Sequence, residues 1–188
     1  VQAGITAGAT NAEITRNVMS LVNTRTRAQA ETVVRTAANA AGSVARAEVY
    51  KANADVLKGS EWVATLDSAT RVEHAALDGR IFPIDEGPQT PLGYNCRCLR
   101  VPVVDDRFAA LREGATRASY QGPVSAKTDY AKFLARQPKA FQLEFFDGDG
   151  ARYELYKSGQ VPLDRFADDS GRLYTLDELR AREGITLE

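Results

Sequence analysis

The sequence is short of the residues from which most chemistry is built. It holds one histidine, one tryptophan and one methionine. Its two cysteines, Cys96 and Cys98, cannot make the disulfide framework that staples small secreted domains. A disulfide between them, across a single residue, would be strained. No apolar run approaches the ~20 residues that a spanning helix needs, so no membrane partner is expected. No cationic stretch followed by an apolar one opens the chain, and no secretory leader is expected either. Charge of one sign is also missing: 24 Lys and Arg face 25 Asp and Glu, for a net charge of -1 and a pI near 6.0. That balance excludes a strongly basic nucleic-acid wrapper. A Ser-centred nucleophile motif, a phosphate-cradling loop, internal repeats and low-complexity tracts are all lacking. The chain begins at Val1 rather than Met, which fits a piece of something longer or a processed product.

What is present suits one ordinary domain, or one domain with a small appendage. The 188 residues are 44% hydrophobic and 26% charged, enough to bury a core. The near-zero total hides a gradient: net +3 over 1–58, -2 over 59–104, +3 over 105–140 and -5 over 141–188. The acidic last segment reads either as a solvated surface or as a dock for a basic partner. The composition shifts place a helical lead-in at 1–58, an α+β module at 59–104 and a C-terminal extension at 105–188.

The spacing of apolar residues predicts the elements. Thr10-Asn11-Ala12-Glu13 is a capping box ahead of a helix over 11–23. A longer helix over 26–57 carries Ala30, Val33, Val34, Ala37, Ala38, Ala41, Val44 and Ala45 as one stripe. Arg27, Glu31 and Arg35 pair on another face, and Gly42-Ser43 is a point for a kink. Short strands follow at 62–66, 80–84 and 99–104, the last two with the prolines that mark sheet edges. One or two helical turns fit Thr70 to Leu77, ended by Asp78-Gly79. Residues 114–122 are weakly patterned and read as mobile. Short helices follow around Tyr130-Phe133-Leu134 and Phe141-Phe145, Tyr153, Leu155 and Tyr156 begin a further short element, and Thr175-Leu176-Asp177-Glu178 opens a last helix. The fold class is therefore α+β: long N-terminal helices, a small antiparallel β module and short C-terminal helices.

One stretch concentrates the scarce residues: Trp62, Asp67, Arg71-Val72-Glu73-His74, Leu77-Asp78-Gly79, Pro91 and Asn95-Cys96-Arg97-Cys98. On a helix, Arg71, His74 and Asp78 share a face; on a strand, Cys96 and Cys98 point the same way. Two thiolates and an imidazole would give zinc three ligands, His74, Cys96 and Cys98. Asp67 or Asp78 would then be a fourth ligand, or would hold the other imidazole nitrogen. Two other readings stay open: a buried polar knot of Asp, Arg and His beside neutral thiols, and a catalytic site using His74 with an Asp.

These residues, in this order and closing on Cys-Arg-Cys, resemble the phage Mu F-like family of head morphogenesis, or minor head, proteins. Gly4 to Gly8, Val34-Arg35-Thr36, Phe133 to Pro138, Arg152 to Leu155 and Thr175 to Leu179 are similar to the flanks of such proteins, which carry more sequence ahead of the lead-in. Some members have Cys-x-x-Cys where this chain has Arg71-x-x-His74. Arg71 stays protonated and cannot ligate a metal; pairing with Asp67 or Asp78 would let it replace part of a metal's cross-link. The resemblance implies a structural minor head protein, assembled in the bacterial host cytoplasm and carried in the virion. It implies a place near the portal or the inner surface of the major capsid protein, with packaged DNA and further copies of itself as partners. Trp62, Asp67, Arg71, His74, Asp78, Gly79, Asn95 and Arg97 would then lock a platform with Cys96 and Cys98, with a structural zinc as its candidate cofactor. The alternative is a zinc-dependent hydrolase, with Asp67 or Glu73 as base, or a trafficking domain of a larger toxin-like protein.

Overall fold

In the computed structural model, which describes residues 1–21 and 26–185, the α+β expectation is met. The lead-in is helical: α1 (Gln2–Thr6), α2 (Asn11–Leu21) and α3 (Arg27–Ala52). Glu13 accepts from the Thr10 backbone at 2.7 Å and its own N–H donates to the Thr10 hydroxyl at 3.3 Å, so the capping box forms. The last residues of the helix expected over 11–23 lie outside the described residues. A second capping box, Thr26 with Gln29, starts α3, which runs through Gly42 without a break. α2 packs on α3, and Ile14, Thr15, Ala30 and Val34 are buried.

The stripe expected along α3 describes only its first half. Ala30 and Val34 are buried, but Ala41, Val44 and Ala45 are exposed. The second half docks through polar residues instead. Asn39 donates to the Cys96 carbonyl at 2.8 Å, the Ser43 and Thr90 hydroxyls meet at 2.8 Å, and the Tyr50 hydroxyl donates to the Arg100 carbonyl at 3.0 Å.

Three strands follow: β1 (Leu57–Val63), β2 (Ile81–Phe82) and β3 (Leu99–Val104), in the antiparallel order β2-β1-β3. Trp62 pairs with Arg100, and Ser60 lies between Phe82 and Pro102. Pro102 lies in the edge strand β3, and Pro83 directly follows β2, the other edge strand. Gly59 is needed at the centre, because a Cβ there would lie 2.4 Å from the Phe82 carbonyl oxygen. The short helix α4 (Val72–Ala76) packs beside the sheet with Val72, His74, Ala75 and Ala76 buried.

Residues 114–122, expected to be mobile, instead contribute to a hairpin: β4 (Thr116–Ser119) and β5 (Gly122–Ser125). Its strands alternate in exposure without large apolar residues, so the usual strand signal is missing. Tertiary contacts anchor it: Leu66 bridges to Ser119, and Arg117 reaches Asp78. α5 (Tyr130–Ala135), α6 (Lys139–Phe145), α7 (Gly150–Lys157) and α8 (Leu176–Glu183) complete the chain.

The apolar core is continuous from Trp62 to Leu179. Tyr130, Phe133, Phe145 and Phe146 meet edge to face or tilted, and Phe146 passes the contact to Phe166. The acidic segment from 141 is thus not a free tail. Its apolar residues are core, and many of its carboxylates pair locally, as Asp168 and Glu178 do with Arg172 and Glu183 does with Arg165.

Candidate metal centre

His74 is carried by α4, whose first turn follows Arg71 in extended conformation. Trp62 lies beneath it, fully buried, with its indole N–H donating to the His74 carbonyl at 3.1 Å. The two rings meet edge to face at 6.1 Å. Cys96 and Cys98 arrive from the loop ahead of β3. Asn95 adopts a left-handed conformation, φ 56°, which Asn tolerates better than most residues. Its backbone N–H donates to the Thr36 hydroxyl at 3.1 Å and its side chain to Thr32 at 3.3 Å. The long helix therefore holds the turn that aims both thiols inward.

The ligand atoms of His74, Cys96 and Cys98 lie within 4.8 Å of one another, and all three residues are buried. His74 Nδ1 is 3.3 Å from Cys98 Sγ and 3.6 Å from Cys96 Sγ. Ligands sharing one tetrahedral zinc must lie about 3.5–3.8 Å apart, given its bond lengths to nitrogen and sulfur. Two thiols and an imidazole at this spacing can hold a metal ion, and soft sulfur with nitrogen suits zinc. Without metal the sulfurs share a proton: the Cys98 thiol stabilises the Cys96 thiolate, which His74 supports further. Cys96 is thereby pushed down to about 4 and Cys98 is pushed up. One sulfur is thus held in the form a metal requires.

The imidazole's other nitrogen, Nε2, lies 3.8 Å from Glu73 Oε1 and 3.5 Å from Arg71 Nη1. Glu73 thus stands where a carboxylate would orient a metal-bound histidine. The far side of the cluster opens into a cavity of about 460 Å³. Arg35, Asn39, Arg71, Asn95 and Arg97 line it together with the three ligand residues.

The carboxylates expected to complete the site do other work. Asp67 takes a bidentate ion pair from Arg97 and bonds from the Ala69 N–H at 3.1 Å and the Thr70 hydroxyl at 3.3 Å. Asp78 turns away from His74. It accepts from the Ala64 N–H at 2.7 Å, the Tyr130 N–H at 2.7 Å and both Arg117 nitrogens at 2.8 and 2.9 Å. The expectation that either aspartate joins the metal ligands is corrected, since neither belongs to the cluster. So is the pairing of Arg71 with an aspartate: Arg71 donates instead to the Tyr94 carbonyl at 2.9 Å. Arg71 precedes α4 and still reaches the His74 ring, at 3.5 Å, whereas Asp78 follows α4 and does not join that face. Gly79 supplies the left-handed turn, φ 82°, after which its N–H meets the Trp62 carbonyl at 2.9 Å.

Sequence reasoning missed four residues. Asn39, Thr36 and Arg117 carry no local signal. Arg100 has a weak one, as a lone cation among the apolar residues of an edge strand. It is buried, donates to Ser60 at 2.9 Å and to the Glu86 and Pro88 carbonyls at 3.1 and 3.0 Å, and lies over the Phe82 ring.

A family model described as phage Mu protein F like protein matches residues 1–101, and the chain belongs to that family. An uncharacterized protein of Haemophilus influenzae (strain Rd) is 30% identical over 166 residues, a match covering 80% of this chain and 35% of the relative. The chain thus spans about a third of that relative's length. No solved structure matches. Among the described residues, no helix is long and apolar enough to cross a membrane.

Proposed function

We propose that this chain is a zinc-bearing domain of a longer phage protein, built into the head during morphogenesis and acting by binding rather than turnover. One observation carries the proposal. His74, Cys96 and Cys98 converge on one point, while Asp67 and Asp78 are both engaged as hydrogen-bonded anchors of the backbone. A domain of this kind holds its shape through a metal and ion pairs and offers its surface. The match to about a third of a longer relative supports its being one domain among others. The exposed Val44 and Val49 on α3 offer an apolar face for the portal, the capsid shell or a second copy. Packaged DNA is a further contact, through the basic stretches of 1–58 and 105–140. Quantitative mass spectrometry of purified heads, with metal analysis of the same particles, tests the reading. A few to tens of copies per particle are expected; absence from every particle would remove the virion role.

A specific observation favours a second reading, a zinc-dependent hydrolase. Among the described residues three protein ligands converge, and a cavity lies beside them, as at hydrolytic zinc sites. Glu73 lies at the ring nitrogen that faces away from the sulfurs, where it would orient His74. Zinc-loaded protein would then cleave an ester, peptide or phosphodiester, and Glu73→Gln would lower metal affinity and turnover together. A loaded protein inert on all three classes would remove this reading. Service as a trafficking domain of a toxin-like protein draws on the same third-of-a-relative match. It predicts a catalytic module elsewhere in the natural protein.

A further inference from the structure

Cys96 and Cys98 are the only thiols of the chain, and the fold brings both to one spot. Their sulfurs lie within 4.8 Å of each other, and both residues line the cavity of about 460 Å³. An S–S bond is about 2.05 Å long, so the pair is one short movement from bonding. Cys96 is 6% and Cys98 2% exposed. A recess of that depth admits a molecule the size of hydrogen peroxide and keeps out the disulfide of another protein. Metal ligation needs deprotonated thiols, and two sulfurs bonded to each other supply none. A disulfide and a metal therefore compete for the same pair. The turn that aims the sulfurs is also the turn that docks on α3. The Cys96 carbonyl accepts from Asn39 at 2.8 Å, and the Asn95 N–H donates to the Thr36 hydroxyl at 3.1 Å.

We propose that Cys96 and Cys98 form a dithiol that peroxide oxidises to a disulfide, and that this disulfide and zinc exclude each other. The pairing itself needs no metal; the exclusion rests on the zinc reading. One thiolate sulfur attacks a peroxide oxygen and breaks the O–O bond, giving a sulfenic acid and hydroxide. The other sulfur then displaces hydroxide from the sulfenic acid and forms the S–S bond. The two sulfurs lose two electrons, the two peroxide oxygens gain them, and the two thiol protons complete two waters. Starting from the zinc-loaded centre, solvent supplies the two protons and the zinc ion leaves. A disulfide across a single residue is strained and therefore easily reduced, so two equivalents of a small thiol restore the pair. Closure also pulls on the turn at Asn95 and loosens its bond to α3.

The test treats the full chain with hydrogen peroxide, metal-free and zinc-loaded, and reads intact mass and the zinc released to a chromogenic chelator. The metal-free chain should lose two hydrogens without joining a second chain, and regain them with dithiothreitol. Zinc at about a hundredfold over its Kd leaves about one chain in a hundred unloaded, so disulfide formation should slow about a hundredfold. Each disulfide formed should release one zinc. The Asn95 amide should exchange with deuterium faster in the oxidised chain than in the reduced one. Cys98→Ser should gain oxygen instead, as a sulfenic acid trapped by dimedone or as its further oxides. A metal-free chain that keeps its thiols, adds oxygen without losing hydrogens, or links only to other chains would overturn the proposal and leave the metal centre standing. An oxidised chain that keeps its zinc, or one formed as fast under zinc as without it, would overturn the exclusion. A reduced chain that takes up no zinc would remove the metal reading, and the metal-free arm would then decide the disulfide alone.

Discussion

Two polar clusters flank the short helix α4, and they are built on opposite terms. The Asp78 cluster is closed. Its carboxylate is 1% exposed and its Arg117 partner 9%, and both carboxylate oxygens are filled by donors from Ala64, Arg117 and Tyr130. The His74 cluster borders a cavity. Its three ligand atoms lie within 4.8 Å of one another, and arginines edge the space beside them. A closed polar cluster can only hold elements together; here it ties the chain just after β1 to β4 and α5. An open one has bonding capacity left over, which is the requirement for taking a metal. The difference also explains why one carboxylate-rich motif yields two unlike structures: the aspartates went to the backbone, and the sulfurs and imidazole were left to each other.

Four experiments would break or sharpen that comparison. The largest effect belongs to the closed cluster. Asp78→Asn leaves Arg117 buried without its counter-charge, and urea unfolding should show a loss of about 3–5 kcal/mol whether or not zinc is present. The open cluster should respond to metal. Zinc at about a hundredfold over its Kd should stabilise the protein by about 2.7 kcal/mol in thermal or urea unfolding. Cys96→Ser should erase that gain while costing only about 1 kcal/mol in chelator. A variant equally damaged with and without zinc would make the thiols packing residues.

A smaller effect tests how the lead-in serves the site. Asn39→Ala removes one hydrogen bond to the Cys96 carbonyl and should cost about 1 kcal/mol. It should also weaken zinc uptake measured by competition with a chromogenic chelator; unchanged uptake would separate α3 from the metal centre. The smallest effect lies outside both clusters. The Ser170 hydroxyl, with backbone N–H groups of Ser170 and Arg172 and the Arg172 side chain, holds Asp168 down to about 2. A depressed carboxylate stabilises the fold above its unfolded pKa, near 3.9, and loses that contribution as pH falls towards 2. The thermal midpoint should therefore decline across that window, and Asp168→Asn should flatten the decline without altering zinc dependence.

Local signals located elements well where a cap or an apolar period marked them. Thr10 with Glu13 and Thr175 with Glu178 both form the capping boxes their spacing announces. The hairpin at 116–125 went unread because its strands are half-exposed and small, so nothing local distinguishes them from a loop. The first strand, Leu57–Val63, begins ahead of the 62–66 that strand propensity marks, because Lys58, Gly59 and Ser60 look like a stop. Along α3 the alanine stripe was legible, but the polar edge that docks it was not. Thr36, Asn39 and Ser43 look solvated until the 90–98 loop is laid across them.

The sequence by itself determined which residues are available for chemistry. With one histidine and two cysteines, a soft-metal site has only one set of side chains to draw on, and the Cys-x-Cys step keeps the two sulfurs close in space. It also determined the α+β class, because capping and periodicity are local properties of the chain. Only the tertiary structure decided partners. Asp67 joined Arg97, Asp78 joined Arg117 across 39 residues of chain, and Arg71 was left facing a cavity. Aspartates and arginines are interchangeable partners as far as charge goes. Which pair forms depends on which donors the folded backbone brings within reach, and that geometry exists only once the sheet, the hairpin and the long helix are packed together.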